Sequence, residues 1–172
     1  KNVVAGKYGL TAMAYRLNRG LRDEEVAMGV GCMQMVDAVS GGVMYSRNPL
    51  DIRDDAVVIN AIWGLPKSVV DGSAATDLFV VSRGDSMTIR EKIVPVKDQK
   101  FVCYPEEGVC RLEVTGEESR MASLTDDQAK ELARLAVRIE AYYNRPQDIE
   151  GAVDGKGAVV ILQCRPLIQK AE

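Results

Sequence analysis

Four side chains near the end of the chain have the types and spacing to do chemistry: Asp148, Glu150, Gln163 and Arg165. Residues 147–153 and 158–165 read as strands, and Asp154-Gly155-Lys156-Gly157 between them is a strong turn sequence. A symmetric turn there sets Asp148 opposite Gln163 and Glu150 opposite Ile161. Directly opposed side chains share a face, as do residues two apart on one strand. One face then carries Ile149, Val153, Val160, Leu162 and Cys164. The other carries Asp148, Glu150, Gln163 and Arg165, with Val159 and Ile161 nearer the turn. Two carboxylates and an amide oxygen suit Mg²⁺, a hard ion that takes one or two carboxylates and leaves room for phosphate. The planar fork of Arg165 suits phosphate oxygens. Together they describe a Mg²⁺–polyphosphate site. The same pattern also describes a half-exposed hairpin whose polar residues meet water, with a surface ion pair worth about 0–1 kcal/mol. Register matters here, because a slip of one residue turns Gln163 and Arg165 away from the acids.

Composition narrows the alternatives. The 172 residues contain no histidine, which removes Ser-His-Asp and Cys-His nucleophiles, His-ligated zinc and any imidazole base. Chemistry must run on carboxylates, amides, Lys, Arg or backbone. The four cysteines (Cys32, Cys103, Cys110, Cys164) form no CxxC pair, so free thiols in a reducing, cytoplasmic compartment are expected. Cys103 and Cys110 are the only pair placed to face each other across a hairpin. A net charge of −3 gives no electrostatic footprint for nucleic acid or an anionic membrane. No apolar run reaches the roughly 18 residues a membrane span needs. The chain opens on Lys1 rather than Met, and one domain, a piece of something longer, is the expected organisation.

The elements that must position the hairpin follow from pattern. Residues 8–21 place Leu10, Met13, Ala14 and Leu17 at helical spacing, with Gly20 as a stop. Residues 26–36 are apolar and Gly-containing and predict a buried strand. Val43 to Ser46 predicts a short strand after Ser40-Gly41-Gly42, ended by Asn48-Pro49. Ala56 to Trp63 is a third, closed by Gly64-Leu65-Pro66. Asp77–Arg83 and Ser86–Val94 predict a hairpin turning at Gly84-Asp85, and weaker strands flank Pro105 to Gly108. Thr125 and Gln128 form a capping box ahead of a helix over 126–143, with Leu132, Ala136, Ile139 and Tyr143 as its apolar stripe. Many short strands and one strong late helix predict an α+β fold with a largely antiparallel sheet and flanking helices.

Several strings resemble one family in order. Gln147-Asp148-Ile149-Glu150 followed by Leu162-Gln163-Cys164-Arg165-Pro166 is similar to the end of the ATP-grasp domain of phosphoenolpyruvate synthase and pyruvate phosphate dikinase. Ala14-Tyr15-Arg16 resembles the family's A-x-Y-R helix, Met35-Val36 its strand ending in Met-Val, and Ser40 through Pro49 its SGV-x-F-[ST]-x-[DN]-P. Ala61-Ile62-Trp63-Gly64-Leu65 resembles AWGL, and Ile139-Glu140-x-Tyr142-Tyr143 resembles I-E-x-x-Y. The resemblance covers nearly the whole chain and implies the C-terminal half of an ATP-grasp domain, which clamps nucleotide against an N-terminal subdomain. It implies Asp148, Glu150 and Gln163 as holders of Mg²⁺ on ATP, Arg165 as the catalytic contact to the phosphoryl groups, and Gln34, Met35 and Val36 as the hinge at the adenine. It further implies transfer from ATP to a histidine on a swivelling domain and then to pyruvate. An antibiotic or a glucan as acceptor, or a degenerate nucleotide-binding module, are the alternatives. Met33 at the usual hinge Gln position, Lys67 in place of a usual Glu, and Gly151 in place of an aromatic mark a divergent member. The family's Gly-rich segment and its phosphate-directed Lys and Arg precede this region, so the chain is expected to hold half a site.

Other residues read more plainly. Trp63 is expected in the core or at a subdomain contact, and Met33, Met35 and Met44 as gap-fillers. Arg16 is expected to be a structural ion-pair partner, and Glu140 to lie on the helix surface. Glu106-Glu107 and Glu117-Glu118 read as solvated turns. Arg47 is either a loop residue near phosphate or a surface charge.

Overall fold

The computed structural model describes residues 1–168. Two compact units emerge, one ending at Met35 and one beginning at Val36. The first holds helix α1 (Asn2–Ala5), a 3-10 turn at Gly6–Tyr8 and helix α2 (Leu10–Arg19). Helix α2 closes on Gly20, whose φ of +66° is the left-handed conformation that suits a glycine stop. Arg16 is the buried anchor of this unit. Its guanidinium donates to Asp23 Oδ1 at 2.9 Å and to the Lys7 carbonyl at 2.6 Å, as expected of a structural ion-pair partner. Residues 26–36 form no strand. Met28, Val30, Met33 and Met35 are all exposed, because an extended segment needs a partner edge for its backbone groups and none pairs with it among the described residues. Met33 and Met35 are therefore not gap-fillers, whereas Met44 is.

The second unit is built on a six-stranded sheet: β1 (Ala38–Tyr45), β2 (Ala56–Trp63), β3 (Asp77–Ser82), β4 (Ile89–Ile93), β7 (Gln147–Asp154) and β8 (Val159–Pro166), in the order β4-β3-β2-β1-β7-β8. Every neighbouring pair is antiparallel. The strands β5 (Gln99–Tyr104) and β6 (Gly108–Glu113) form a separate hairpin, and a short helix α3 (Lys67–Val70) packs against β1 and β2. The α+β reading with a largely antiparallel sheet holds. Strand β1 starts five residues earlier than its apolar run and takes in Ser40-Gly41-Gly42. Those glycines are strand residues because neighbours crowd them: a Cβ on Gly42 would sit 2.2 Å from the Asn60 carbonyl oxygen.

Helix α4 (Asp126–Tyr143) covers one face of the sheet. Its start is the anticipated capping box: Thr125 N–H donates to Gln128 Oε1 at 2.8 Å, and Gln128 N–H donates to Thr125 Oγ1 at 3.2 Å. Its end is Asn144 with φ +52°. Ala129, Leu132, Ala133 and Ala136 are buried against Met44, Ile59, Phe79, Val81, Ile149 and Val153, and Tyr143 of the expected stripe is exposed instead. The register of β5 and β6 puts Cys103 opposite Val109 and Cys110 opposite Val102, so the two thiols lie on opposite faces, and all four cysteines are free. Among the described residues, no helix is long and apolar enough to cross a membrane.

Candidate functional site

The β7–β8 turn is one residue longer than a symmetric one. Asp154 Oδ1 accepts from the backbone N–H groups of Lys156 and Ala158, both at 2.8 Å, and Gly157 takes φ +81°. Val153 therefore pairs with Val159, one residue on from the symmetric expectation. A bulge between Glu150 and Gly151 then makes Leu162 an extra residue of β8 and adds a second step. The outcome is Asp148 opposite Arg165 and Glu150 opposite Gln163, a correction of both expected pairs. All four residues still share one face. Val159 and Ile161, expected on that face, pack instead with Cys164 against the core.

The polar face away from α4 is organised in cross-strand rows. One row runs Val58, Tyr45, Asp148, Arg165 across β2, β1, β7 and β8; the next runs Asn60, Val43, Glu150, Gln163. In the first, Arg165 Nε and Nη2 both lie 2.8 Å from Asp148 Oδ2. Hydrogen bonding and charge from Asp148 hold the Arg165 guanidinium even more firmly protonated. The Arg165 side chain is 60% exposed and that of Asp148 only 10%. Asp148 Oδ1 is buried with no hydrogen-bond partner. A carboxylate oxygen that is both dry and unpaired is costly, and a cation relieves that cost. Glu150 is half-buried and Gln163 exposed. Burial, and then the neighbouring Asp148 charge, raise the Tyr45 phenol above its ordinary pKa, with Arg165 opposing.

The donor set fits Mg²⁺: two carboxylates and an amide oxygen on one face, one carboxylate oxygen lacking any partner. Among the described residues, no group of three or more His, Cys, Asp or Glu side chains is arranged to hold a metal ion by itself. The hairpin residues are thus brought together. Gln34 and Met35 lie exposed at the end of the first unit, and Val36 opens the second; all three sit in chain without regular secondary structure.

Next to the hairpin lies a charged network that the sequence reading missed. Glu140 accepts hydrogen bonds from Arg83 at 2.8 and 2.9 Å, from Arg47 at 3.1 Å and from Ser46 Oγ at 2.6 Å. Ser46 Oγ in turn accepts from the Gln147 N–H at 2.8 Å, and the Ser46 N–H donates to the Gln147 carbonyl at 2.9 Å. Glu140 is therefore not a helix-surface residue: its side chain is 13% exposed. Its position continues the stripe of Leu132 and Ala136 by four residues each time, which is the signal that places a carboxylate on the buried face. Arg47 is tied to Glu140 and Asp55. A second missed group is Lys97, whose Nζ lies 2.5 Å from Asp77 Oδ1 with both side chains fully buried. Asp77 Oδ2 also accepts from Ser123 N–H and Oγ at 2.6 and 2.7 Å. Trp63 donates to the Glu118 carbonyl at 3.0 Å, and Glu118 pairs with Lys100 rather than only meeting water.

The model of the pyruvate phosphate dikinase AMP/ATP-binding domain matches residues 1–172, and the chain belongs to that family. It is 37% identical to the phosphoenolpyruvate synthase of Escherichia coli over 177 aligned residues, covering 96% of this chain and 22% of that protein. It is 35% identical to a probable phosphoenolpyruvate synthase of Methanocaldococcus jannaschii, covering 91% of this chain and 13% of that protein. The phosphoenolpyruvate synthase of Pyrococcus furiosus is 33% identical, covering 97% and 21%. The chain thus spans less than a quarter of the length of these curated relatives.

Proposed function

We propose that this chain is the Mg²⁺- and ATP-holding C-terminal half of an ATP-grasp domain, in a cytoplasmic phosphotransferase similar to phosphoenolpyruvate synthase and pyruvate phosphate dikinase. The observation that carries the reading is the Asp148–Arg165 pair, in which one carboxylate oxygen grips the guanidinium and the other is buried without a partner. In this reading Asp148, Glu150 and Gln163 hold Mg²⁺, which when bound neutralises phosphate charge. Arg165 keeps its position through Asp148 and turns its remaining donors to the phosphoryl oxygens. Gln34, Met35 and Val36 meet the adenine. Phosphoryl transfer asks a protein mainly to position groups and neutralise charge, so a site without histidine suffices. The acceptor histidine belongs to a swivelling domain and the final acceptor is pyruvate, both outside this chain. The opposing N-terminal subdomain supplies the other phosphate contacts.

Calorimetric titration with ATP, with and without Mg²⁺, tests the reading on this chain and on Asp148→Asn and Glu150→Gln. Mg²⁺-dependent ATP binding that both substitutions weaken by about tenfold or more is expected, since each removes a charged contact. Binding indifferent to Mg²⁺, or unchanged in both variants, overturns it. The isolated chain is expected to bind without turnover.

A further inference from the structure

The row that holds Asp148 and Arg165 has a third polar member with no assigned task. Tyr45 of β1 lies directly across from Asp148 of β7, which lies directly across from Arg165 of β8. Directly opposed residues in an antiparallel sheet share a face and bring their Cβ atoms within about 5 Å. Tyr45 therefore flanks Asp148 on one side as Arg165 does on the other. On its far side Tyr45 meets Val58, which offers no polar partner.

The two neighbouring side chains of this row differ. Asp148 Oδ1 is sealed and unpartnered. The Tyr45 ring is half-buried, and its hydroxyl makes no hydrogen bond among the described residues. The register sets Tyr45 on the polar face with Asp148 and Arg165, and the residue is not fully buried there. Its ring is packed, so little side-chain freedom is lost when it engages a ligand. A phenol keeps its proton at neutral pH and is a donor there.

A carboxylate accepts only, so a polyphosphate lying along this row finds like charge at Asp148 and needs donors on either side. Arg165 supplies one. We propose that Tyr45 supplies the other, its hydroxyl donating to a non-bridging oxygen of the nucleotide's phosphate chain, so that Tyr45 is a substrate-contacting residue of the polyphosphate site. This rests on the nucleotide reading above and deepens it. The ligand chemistry recognised is the phosphate chain, not the base or the ribose.

The test compares wild type with Tyr45→Phe, which removes one oxygen and keeps the ring in its packing. Calorimetry uses Mg·ATP, Mg·tripolyphosphate and adenosine as probes. The expected result is about a tenfold loss of affinity for ATP and for tripolyphosphate in Y45F, the size of one hydrogen bond to a charged group, with adenosine binding unchanged. A wild type that binds Mg·ATP while Y45F matches it overturns the role of Tyr45 and leaves the nucleotide reading intact. A Y45F that loses adenosine and ATP binding equally also overturns it. A wild type that binds neither ATP nor tripolyphosphate overturns both. A second measurement needs no variant: the ¹³Cζ resonance of Tyr45 in the wild-type chain is expected to move on adding Mg·tripolyphosphate and to stay put with adenosine. A resonance indifferent to tripolyphosphate overturns the contact, whatever Y45F does.

Discussion

Replacing Glu140 by Gln keeps the size of the side chain and removes the charge on which Arg83, Arg47 and Ser46 converge. Arg83 is the residue that suffers. Its side chain is 10% exposed, and without Glu140 it retains only Asp55 at 3.2 Å and the Ser46 carbonyl as acceptors. Breaking a buried ion pair by removing one partner costs about 3–5 kcal/mol. Glu140 is 13% exposed rather than fully buried, and Asp55 still offsets part of the Arg83 charge, so about 2–3 kcal/mol is the working figure. In a domain of this size that lowers Tm by roughly 4–12 °C. The assay is thermal unfolding followed by circular dichroism, with Glu131→Gln on the exposed side of α4 as the comparison.

The pH dependence sharpens the test. Burial pushes the Glu140 carboxyl up, but hydrogen bonds from Arg83 and Ser46, the Arg83 charge and the Arg47 hydrogen bond together outweigh it, and its pKa lies below the usual carboxylate value. A carboxylate depressed in the folded state releases its proton more readily there than in the unfolded chain. Its stabilisation is full above the unfolded pKa of about 4.3 and is lost as pH falls through the folded value. The Tm gap between wild type and E140Q is therefore wide at pH 7 and closes as pH drops below that range. A gap under 1 °C at pH 7, about what an exposed substitution gives, or one constant down to the acid transition, refutes the account.

Two further outcomes follow from the same structure. Lys97→Met strands the Asp77 carboxylate in a dry site with only the Ser123 donors, and a loss of about 3–5 kcal/mol in urea unfolding is expected; a variant within 1 kcal/mol of wild type means the pair is not isolated from water. Asp154→Ala removes the acceptor of two turn N–H groups, so a loss of about 1 kcal/mol and faster hydrogen exchange at the Ala158 amide are expected; unchanged exchange at Ala158 means Gly157 alone sets the turn.

What was legible in the sequence was what short-range physics decides. Thr125 and Gln128 fix the start of α4 because two orphan backbone N–H groups find partners three residues apart, and Ala56–Trp63 is a run, apolar but for Asn60, that a central strand absorbs. Outside the hairpin, the failures depended on partners distant in sequence. Residues 26–36 have the composition of a strand, but composition cannot supply a neighbouring edge. Gly41 and Gly42 read as a break because glycine weakens strands, yet the close approach of β2 at Asn60 leaves no room for a side chain. Lys97 and Asp77 meet across 20 residues, and nothing local to either marks the other as its counter-ion.

The hairpin shows why a wrong register still gave the right face. Side chains on a strand alternate with period two, so only the parity of a register error matters to which face a residue joins. The turn at Asp154–Gly157 displaces the pairing by one residue from the symmetric arrangement, and on its own that sets Gln163 opposite Ile149, on the α4 face. The extra residue Leu162 adds a second step before the acids are reached, and the error becomes even. The cost of the correction is visible nearer the turn, between the two shifts, where Val159 and Ile161 have changed sides and joined the core. The turn set by Asp154 and Gly157 and the bulge at Leu162, five residues beyond Gly157, act on one register. Together they decide that a guanidinium, two carboxylates and an amide look out from the same side of the sheet, and that Tyr45, one strand over, looks out with them.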